Sequence, residues 1–281
     1  MLILDGKKPR AAYKKTLLEK MKGLAVTPHL AIIQVGARTD SDAYIGAKKK
    51  FAAEIGVHET HVALPAAATQ AEIIAAVEHA NTDPAVHGII VQLPLPLSID
   101  TDAVINAIDP AKDIDGLTAA NVKKWLEGRA DAIWPATTRG VRELLDFYGI
   151  TLEGKKVAML GQSNLVGKPT AALCLAEGAV VTVCHSGTQN TTEVTRAADI
   201  IIVAIGKPKL IGPEYITTGQ VVIDIGITSV GGKLTGDVDY DAVAPLLGPN
   251  GAITPVPGGV GQMTVLALFE NLIDACYNKR E

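Results

Sequence analysis

Four polar residues have types and positions suited to proton transfer or ligand binding. Tyr44 and Lys48 lie four residues apart within 41–56, a stretch that begins and ends like a helix, so both would project from one helix face. Gln92 follows an apolar run, at the carboxyl end of a predicted strand, where α/β sheets bind their ligands. Asp115 lies in a turn dense in charge. A lysine in such a group acts as a base only if burial or its neighbours lower its pKa.

Each of these residues also has a purely structural interpretation. Lys48, with the two lysines that follow it, would form an ordinary solvated helix face, and spacing alone favours that interpretation. Gln92 could be a hydrogen-bonded polar residue at a strand end. An isolated Asp-x-Asp-Gly turn, such as 113–116, is more typical of an ordinary loop.

A glycine-rich turn at 161–169, GQSNLVGKP, is a second candidate site. An apolar run precedes it and an alanine- and leucine-rich segment follows, so the pattern predicts strand, tight turn and helix. Free N–H groups and the positive helix end would suit a phosphate. The pattern G-x-S-x-x-x-G is weaker than the standard dinucleotide fingerprint, and any α/β turn with two glycines would also produce it.

Three β-branched runs follow the glycine turn, at 179–184, 198–206 and 220–226. They lack polar alternation, as expected for parallel strands covered by helices on both faces. The second half of the chain is therefore predicted to be a Rossmann-type nucleotide-binding domain, and the first half also alternates predicted helices and strands.

Composition excludes several other classes of protein. The chain has 281 residues, 48% of them hydrophobic, which indicates one large or two modest domains. A net charge of -4 disfavours nucleic acid as a partner. We expect no signal peptide and no membrane span, because no apolar run approaches the ~18 residues required. Cys174, Cys184 and Cys276 lack metal-site spacing and are expected to be reduced core residues in a cytoplasm.

Several motifs, taken together and in order, resemble the bifunctional methylenetetrahydrofolate dehydrogenase/methenyltetrahydrofolate cyclohydrolase family. They are S-x-x-Y-I-x-x-K-x-K at 41–50, GIIVQLPLP at 88–96, KDIDG at 112–116, G-x-S-x-x-V-G-x-P at 161–169, CHS at 184–186 and ITPVPGGVGQMT at 253–264. They cover nearly the whole chain, and together they are far more specific than any one of them.

The resemblance implies a two-domain α/β fold with a cleft between the domains. Residues 1–136 with 262–281 would form a folate-binding catalytic domain, and residues 137–261 a Rossmann domain for NADP, with NAD also possible. It further implies a cytoplasmic homodimer with a folate substrate, acting in the one-carbon metabolism that serves purine and amino-acid biosynthesis.

The resemblance also implies two reactions in sequence, oxidation of 5,10-methylenetetrahydrofolate and hydrolysis of the methenyl product to 10-formyltetrahydrofolate. Hydride removal leaves a cation stabilised by the two flanking nitrogens, so this step needs positioning more than an acid. Hydrolysis needs an activated water and a proton for a ring nitrogen. The resemblance gives Lys48 that task, with Gln92 keeping it neutral, Tyr44 packing on the substrate and Asp115 accepting from the aminopyrimidine.

The remaining site residues follow from the same resemblance. Pro257, Gly258 and Gly259 would let the backbone approach the substrate closely. The residues expected to bind the cofactor are Gly161, Gln162, Ser163, Val166, Gly167, His185, Ser186 and Ile227.

Five positions depart from the family pattern. Gln162 stands where arginine is common and Gly187 where lysine is common, while Ala136, Thr138 and Gln262 replace cysteine, proline and proline. None of these positions is assigned to the chemical step. No acid follows the second Rossmann strand and Ser186 offers a hydroxyl, so NADP is expected, but with only a small advantage over NAD.

Two other functions fit parts of the sequence. A folate- or nucleotide-binding sensor would keep the fold without catalysis, but the combination of Tyr44, Lys48, Gln92 and Asp115 disfavours it. A dehydrogenase of a small hydroxy or amino acid would need a cationic carboxylate clamp and a catalytic His or Lys in the second half. His185 is the only histidine there, at the expected ribose position.

Overall fold

Two parallel sheets organise the chain in the computed structural model, which describes residues 1–37, 39–129 and 131–278. One sheet has six strands and belongs to a unit formed by residues 1–12 and 137–264, here called the six-stranded unit. The other has three strands and belongs to residues 13–136 and 265–281, the three-stranded unit.

The elements are numbered along the whole chain. The strands are β1 (Leu2–Ile3), β2 (His29–Val35), β3 (His58–Leu64), β4 (Gly88–Val91), β5 (Lys156–Leu160), β6 (Val180–Cys184), β7 (Ile200–Val203), β8 (Val221–Asp224), β9 (Thr228–Val230), β10 (Lys233–Thr235) and β11 (Ala252–Ile253). The α-helices are α1 (Lys7–Lys22), α2 (Thr39–Ile55), α3 (Gln70–Thr82), α4 (Thr101–Asn106), α5 (Ala119–Leu126), α6 (Ala136–Phe147), α7 (Gly167–Ala176), α8 (Thr191–Arg196), α9 (Tyr240–Val243) and α10 (Val260–Asn278).

In the six-stranded unit the parallel strands lie in the order β1-β11-β8-β7-β5-β6. The central strands are β-branched and buried, as predicted for strands covered on both faces. Leu160 at the end of β5 pairs with Cys184 of β6 and with Val203 of β7. The loops that follow these three strands therefore begin side by side at one edge of the sheet.

The three-stranded unit has the parallel strand order β3-β2-β4. Its core includes the rings of Phe51 on α2 and Phe269 on α10, whose centroids are 5.2 Å apart. Asn271, also on α10, donates hydrogen bonds to the carbonyl oxygens of Ile114 (2.8 Å) and Trp134 (3.0 Å). The last helix thereby fixes the backbone next to Asp115.

The N-terminal residues lie in a different unit from the one predicted. Leu2 and Ile3 pair with Ala252 and Ile253, which makes β1 an edge strand of the six-stranded sheet, and Leu4 is fully buried. A two-residue strand has no periodicity from which its sheet could be inferred. Residues 1–12 therefore belong with the six-stranded unit, whereas the sequence grouped them with the folate-binding domain.

Three further observations concern the cysteines, membrane-spanning helices and metal sites. Cys174, Cys184 and Cys276 are buried and belong to no disulfide of the described residues, and burial raises the pKa of Cys174 to about 12. Within residues 1–37, 39–129 and 131–278, no helix is long and apolar enough to cross a membrane. In the same ranges, no group of three or more His, Cys, Asp or Glu side chains is arranged to hold a metal ion.

Candidate active site

Lys48 lies on α2 with its side chain buried, 8% exposed. Its Nζ donates a 3.0 Å hydrogen bond to Oε1 of Gln92. Tyr44 is half-buried one turn earlier on the same helix. The solvated-face interpretation of the lysines is therefore wrong for Lys48 and correct for Lys50, which is exposed.

Gln92 immediately follows β4, and two further hydrogen bonds fix its position. Its backbone N–H donates to the carbonyl oxygen of Ile33 (2.8 Å), and its Nε2 donates to the carbonyl oxygen of Leu93 (2.9 Å). The amide oxygen is thereby directed at Lys48. A neutral acceptor binds either protonation state of an amine without adding the negative charge that would hold the proton.

The electrostatics of Lys48 and Asp115 are coupled. Burial lowers the pKa of Lys48 below its ordinary value, and the charge of Asp115 opposes that shift. Burial also raises the pKa of Asp115, against the effect of Lys48 and with a contribution from Asp113. Both desolvation effects favour neutral groups. Lys48 can therefore present an unprotonated amine, which is what a base requires.

The residues of the KDIDG segment have different roles: Lys112 and Asp113 stabilise the local fold, and Asp115 is partly exposed. Nζ of Lys112 is buried and donates to the carbonyl oxygens of Ala80 (3.0 Å), Asn81 (2.6 Å) and Asp83 (2.8 Å). It thus satisfies two carbonyl groups in the last turn of α3 and that of the cap residue Asp83, which have no partner within the helix. The first residue of this motif, Lys112, therefore caps the end of helix α3.

Asp113 is fully buried and holds the turn together. Its carboxylate accepts hydrogen bonds from the backbone N–H groups of Gly116 (2.9 Å) and Thr118 (2.8 Å) and from Nδ2 of Asn121 (2.9 Å). Asp115 is the partly exposed acid of the pair. Since no group of the described residues donates a hydrogen bond to its carboxylate, Asp115 can accept from a ligand.

The glycine turn after β5 is built from close backbone contacts. Gly161 has φ +116°, and a Cβ added there would overlap the carbonyl oxygen of Ala204. A Cβ at Gly167 would overlap the carbonyl oxygen of Gly161. Oγ of Ser163 accepts from the N–H groups of Val166 (3.2 Å) and Gly167 (3.3 Å), so it caps the first turn of α7.

A cavity of about 500 Å³ lies where the loops after β5, β6 and β7 meet. Five of the residues predicted to bind the cofactor line it, namely Gly161, Gln162, Ser163, His185 and Ser186. Val166, Gly167 and Ile227 are not among its lining residues, and the first two help instead to shape the turn.

The loop after β6 has an internal framework. His185 donates its backbone N–H to Oγ1 of Thr188 (2.9 Å), and its Nδ1 accepts from the N–H of Gly187 (3.1 Å). A Cβ at position 187 would lie 3.1 Å from Cε1 of His185, so a lysine here would press on the ring. Glycine at position 187, where the family pattern commonly has lysine, therefore fits the local structure.

The residues that sequence reasoning missed lie on the loop after β7 and beneath it. Lys207 lines the cavity, as do the apolar side chains of Leu210, Ile211 and Tyr215. Asp237 is fully buried and supports the same loop, because its Oδ2 accepts from the N–H of Ile205 (2.6 Å). The sequence signal for Lys207 was its place just past the end of a predicted parallel strand, the same signal that identified Gln92.

A second buried carboxylate adjoins Asp237. Asp224, at the end of β8, accepts from the N–H groups of Gly226 (3.0 Å), Asp237 (3.2 Å) and Val238 (2.9 Å). Burial raises its pKa to about 7, and the charge of Asp237 adds to the shift. These two acids tie the segments after β7, β8 and β10 together.

Pro257, Gly258 and Gly259 lie in the segment just before α10, also in the six-stranded unit. The carbonyl oxygen of Gly258 accepts from the N–H of Gly6 (2.8 Å), and Gly258 has φ +118°. A Cβ at Gly259 would lie 2.7 Å from the carbonyl oxygen of Pro255, so glycine is required for this close approach. None of the three lines the 500 Å³ cavity.

Two other departures from the family pattern have partners in the structure. Oε1 of Gln262 accepts a 2.6 Å hydrogen bond from Arg10. The hydroxyl of buried Thr138 lies 3.2 Å from that of Thr170, within hydrogen-bonding distance. Both polar replacements are thereby satisfied within the six-stranded unit.

Comparison with known proteins gives consistent matches along the chain. The family model for the tetrahydrofolate dehydrogenase/cyclohydrolase catalytic domain matches residues 4–115, and the model for the NAD(P)-binding domain of that family matches residues 135–280. The bifunctional protein FolD of Acetivibrio thermocellus is 45% identical over 277 residues, which cover 97% of this chain and 96% of the relative.

Two solved structures are similar over nearly their whole length. The bifunctional methylenetetrahydrofolate dehydrogenase/cyclohydrolase FolD of Campylobacter jejuni has a TM-score of 0.93 and 40% identity, with 99% of each chain covered. The Trypanosoma brucei methylenetetrahydrofolate dehydrogenase-cyclohydrolase, solved with NADP and an inhibitor, has a TM-score of 0.92 and 36% identity, covering 100% of this chain and 99% of that one.

Proposed function

The chain belongs to the tetrahydrofolate dehydrogenase/cyclohydrolase family, and we propose which of its residues carry out the family's two reactions. It oxidises 5,10-methylenetetrahydrofolate to 5,10-methenyltetrahydrofolate with NADP⁺, and it hydrolyses that product to 10-formyltetrahydrofolate. The observation that carries the residue assignment is the hydrogen bond from Nζ of buried Lys48 to Oε1 of Gln92.

Lys48 is the base of the hydrolysis. Its unprotonated Nζ takes a proton from water as the water oxygen attacks the methenyl carbon. The ammonium so formed then returns the proton to the ring nitrogen, N5, as its bond to that carbon breaks. The hydroxyl group on the carbon releases its remaining proton to solvent and becomes the carbonyl of the formyl group on N10. Such a proton transfer contributes on the order of 10²–10⁴ to the rate. The lowered pKa of Lys48 supports this role, since it increases the fraction of free amine near neutral pH.

Gln92, Tyr44 and Asp115 position the reacting groups. Gln92 orients the amine without adding charge, and Tyr44, one helical turn from Lys48, packs on the folate rings. Asp115 accepts hydrogen bonds from the aminopyrimidine. Two observations support this role: the charge of Asp115 interacts with that of Lys48, and no described residue donates a hydrogen bond to its carboxylate.

The residues around the 500 Å³ cavity fit NADP. The hydroxyl group of Ser186 and a cavity-lining lysine suit phosphate groups, and Leu210, Ile211 and Tyr215 offer an apolar surface for the adenine. When bound, NADP⁺ accepts the hydride that leaves the methylene carbon. The protein's task in this step is to bind and orient the two partners, because the flanking nitrogens stabilise the developing cation.

Absorbance of methenyltetrahydrofolate tests both activities in one experiment. With 5,10-methylenetetrahydrofolate and NADP⁺, the absorbance should rise as the dehydrogenase acts and then decay faster than in the enzyme-free solution. Binding of folate and NADP⁺ without turnover would instead identify a sensor. Turnover of a small hydroxy or amino acid in place of the folate would identify the other alternative.

We further infer that the protein is a homodimer joined through β6. This strand is at the edge of the six-stranded sheet, and Val180 and Val183 are 64% and 39% exposed. An uncovered apolar edge strand favours pairing with another chain. Sedimentation should give a dimer for the wild type and a monomer for Val183→Lys, while Val230→Lys, at an exposed valine of β9, should remain dimeric. A monomeric wild type would contradict the inference.

A further inference from the structure

We propose that Lys207 binds the 2′-phosphate of NADP and supplies the charge that positions 162 and 187 lack in this chain. The inference rests on the proposed assignment of the 500 Å³ cavity to the cofactor. It makes Lys207 a specificity-determining residue, because NAD has no phosphate at that position.

The first observation is the place of Lys207 in the cavity. Lys207 lines the cavity together with His185 and Ser186. Those two residues follow β6, where a Rossmann fold binds the adenosine ribose. Among the described residues that line this cavity, Lys207 is the only lysine or arginine. Its ammonium forms no ion pair with a carboxylate of the described residues, whereas Lys209, two residues later, pairs with Asp239 at 3.0 Å.

The second observation is that the loop before Lys207 is firmly anchored. The N–H of Ala204 donates to the carbonyl oxygen of Leu160 (2.8 Å), which ties the loop to the end of β5. Oδ2 of Asp237 accepts from the N–H groups of Ile205 (2.6 Å) and Gly206 (2.7 Å). A cation carried on a fixed backbone loses less freedom when it binds a ligand, which favours affinity.

The third observation concerns the positions that carry charge in the family pattern. Gln162 lines the cavity but is neutral, and a side chain at Gly187 would press on the ring of His185. Without Lys207 the cavity would therefore attract the phosphate only through hydroxyl and N–H groups. A charge-assisted hydrogen bond from an ammonium is the strongest contact that this cavity can offer a phosphate dianion.

Replacement of Lys207 tests the inference against a matched control. The ratio of kcat/KM for NADP⁺ to that for NAD⁺ should fall by about tenfold or more in Lys207→Gln, as expected for the loss of one charge-assisted contact. The rate with NAD⁺ should be retained, which also shows that the variant is folded. Lys209→Gln removes the same charge from the same loop outside the cavity and should leave the ratio unchanged.

Calorimetry gives the same comparison without turnover. Wild type should bind 2′,5′-ADP more tightly than 5′-AMP, and Lys207→Gln should lose that difference. An unchanged preference in Lys207→Gln, by kinetics or by calorimetry, would overturn the proposal. A protein that binds 2′,5′-ADP through Lys207 but oxidises no folate would refute the proposed function and leave this inference standing.

Discussion

Nζ of Lys48 and Oε1 of Gln92 are 3.0 Å apart, and the amide that faces the lysine is held by its own bond to the carbonyl oxygen of Leu93. Burial lowers the pKa of Lys48, and Asp115 is the one charge that counteracts this effect. The site therefore combines a desolvated amine, a neutral acceptor and one nearby acid.

Gln92→Glu tests the importance of the neutral acceptor. A carboxylate at this position would favour the ammonium form of Lys48, so the pH profile of cyclohydrolase activity should move to higher pH and the rate at neutral pH should fall. Gln92→Met has a similar length without charge or acceptor, and it should not move the profile upward. An unchanged profile in Gln92→Glu would show that Lys48 is not the titrating base.

Asp115→Asn tests the proposed folate contact. The change trades a charged acceptor for an amide that also presents donors, and folate binding should weaken by roughly 1.5–3 kcal/mol while cofactor binding is retained. Asp109→Asn, in the same loop, is the control, since among the described residues the carboxylate of Asp109 accepts only from the nearby N–H of Ala111 (2.9 Å). Equal folate affinity of Asp115→Asn and wild type, measured by calorimetry, would return Asp115 to a structural role.

Asp224 predicts a pH dependence of stability. Its pKa is about 7 in the folded protein, chiefly because of burial, whereas an unfolded aspartate titrates near 4. The folded state therefore holds this proton more tightly, and its contribution to the free energy of unfolding is present below about pH 4 and lost as the pH rises towards 7. The loss is roughly 4 kcal/mol.

Urea denaturation at several pH values measures this effect. Between about pH 5 and pH 8 the free energy of unfolding of the wild type should fall relative to that of Asp224→Asn. The variant has no proton to lose at this position. Parallel stability curves for the two proteins over that range would contradict the assignment.

The cofactor preference has a second test at Gln162. The sequence predicts a small advantage of NADP⁺ over NAD⁺, because Gln162 and Gly187 replace common cations. Gln162→Arg should widen the advantage by about tenfold or more, equivalent to one recovered contact of about 1.4 kcal/mol. Gln162→Met, which adds no charge, should not widen it. A strong wild-type preference that Gln162→Arg leaves unchanged would contradict the predicted small advantage and would show that the phosphate is held without position 162, as the proposal for Lys207 allows.

The sequence predicted those parts of the protein that have local signals. The β-branched runs identified the inner Rossmann strands, because a strand covered on both faces needs continuous apolar residues. The turn at 161–169 was recognisable because Gly161 and Gly167 occupy positions that no side chain could share. Family motifs then pointed to Lys48 and Gln92, which spacing alone did not distinguish from surface residues.

Other features depended on contacts between distant segments. β1 is two residues long and is defined only by its pairing with β11. Asp237 supports Ile205 and Gly206 from a loop more than thirty positions away in the printed sequence, and neither segment carries a local pattern that predicts the other. A role for Lys207 could be inferred only from the structure, in which it lines the same cavity as His185 and Ser186.

The most direct test of the central claim follows methenyltetrahydrofolate in wild type and in Lys48→Met. The wild type should form it from the methylene substrate with NADP⁺ and should also hydrolyse it when it is supplied directly. Lys48→Met should lose the enzymatic hydrolysis, by on the order of 10²–10⁴ in rate, while still binding the folate substrate. Hydrolysis by Lys48→Met at the wild-type rate would contradict the assignment of Lys48 as the base.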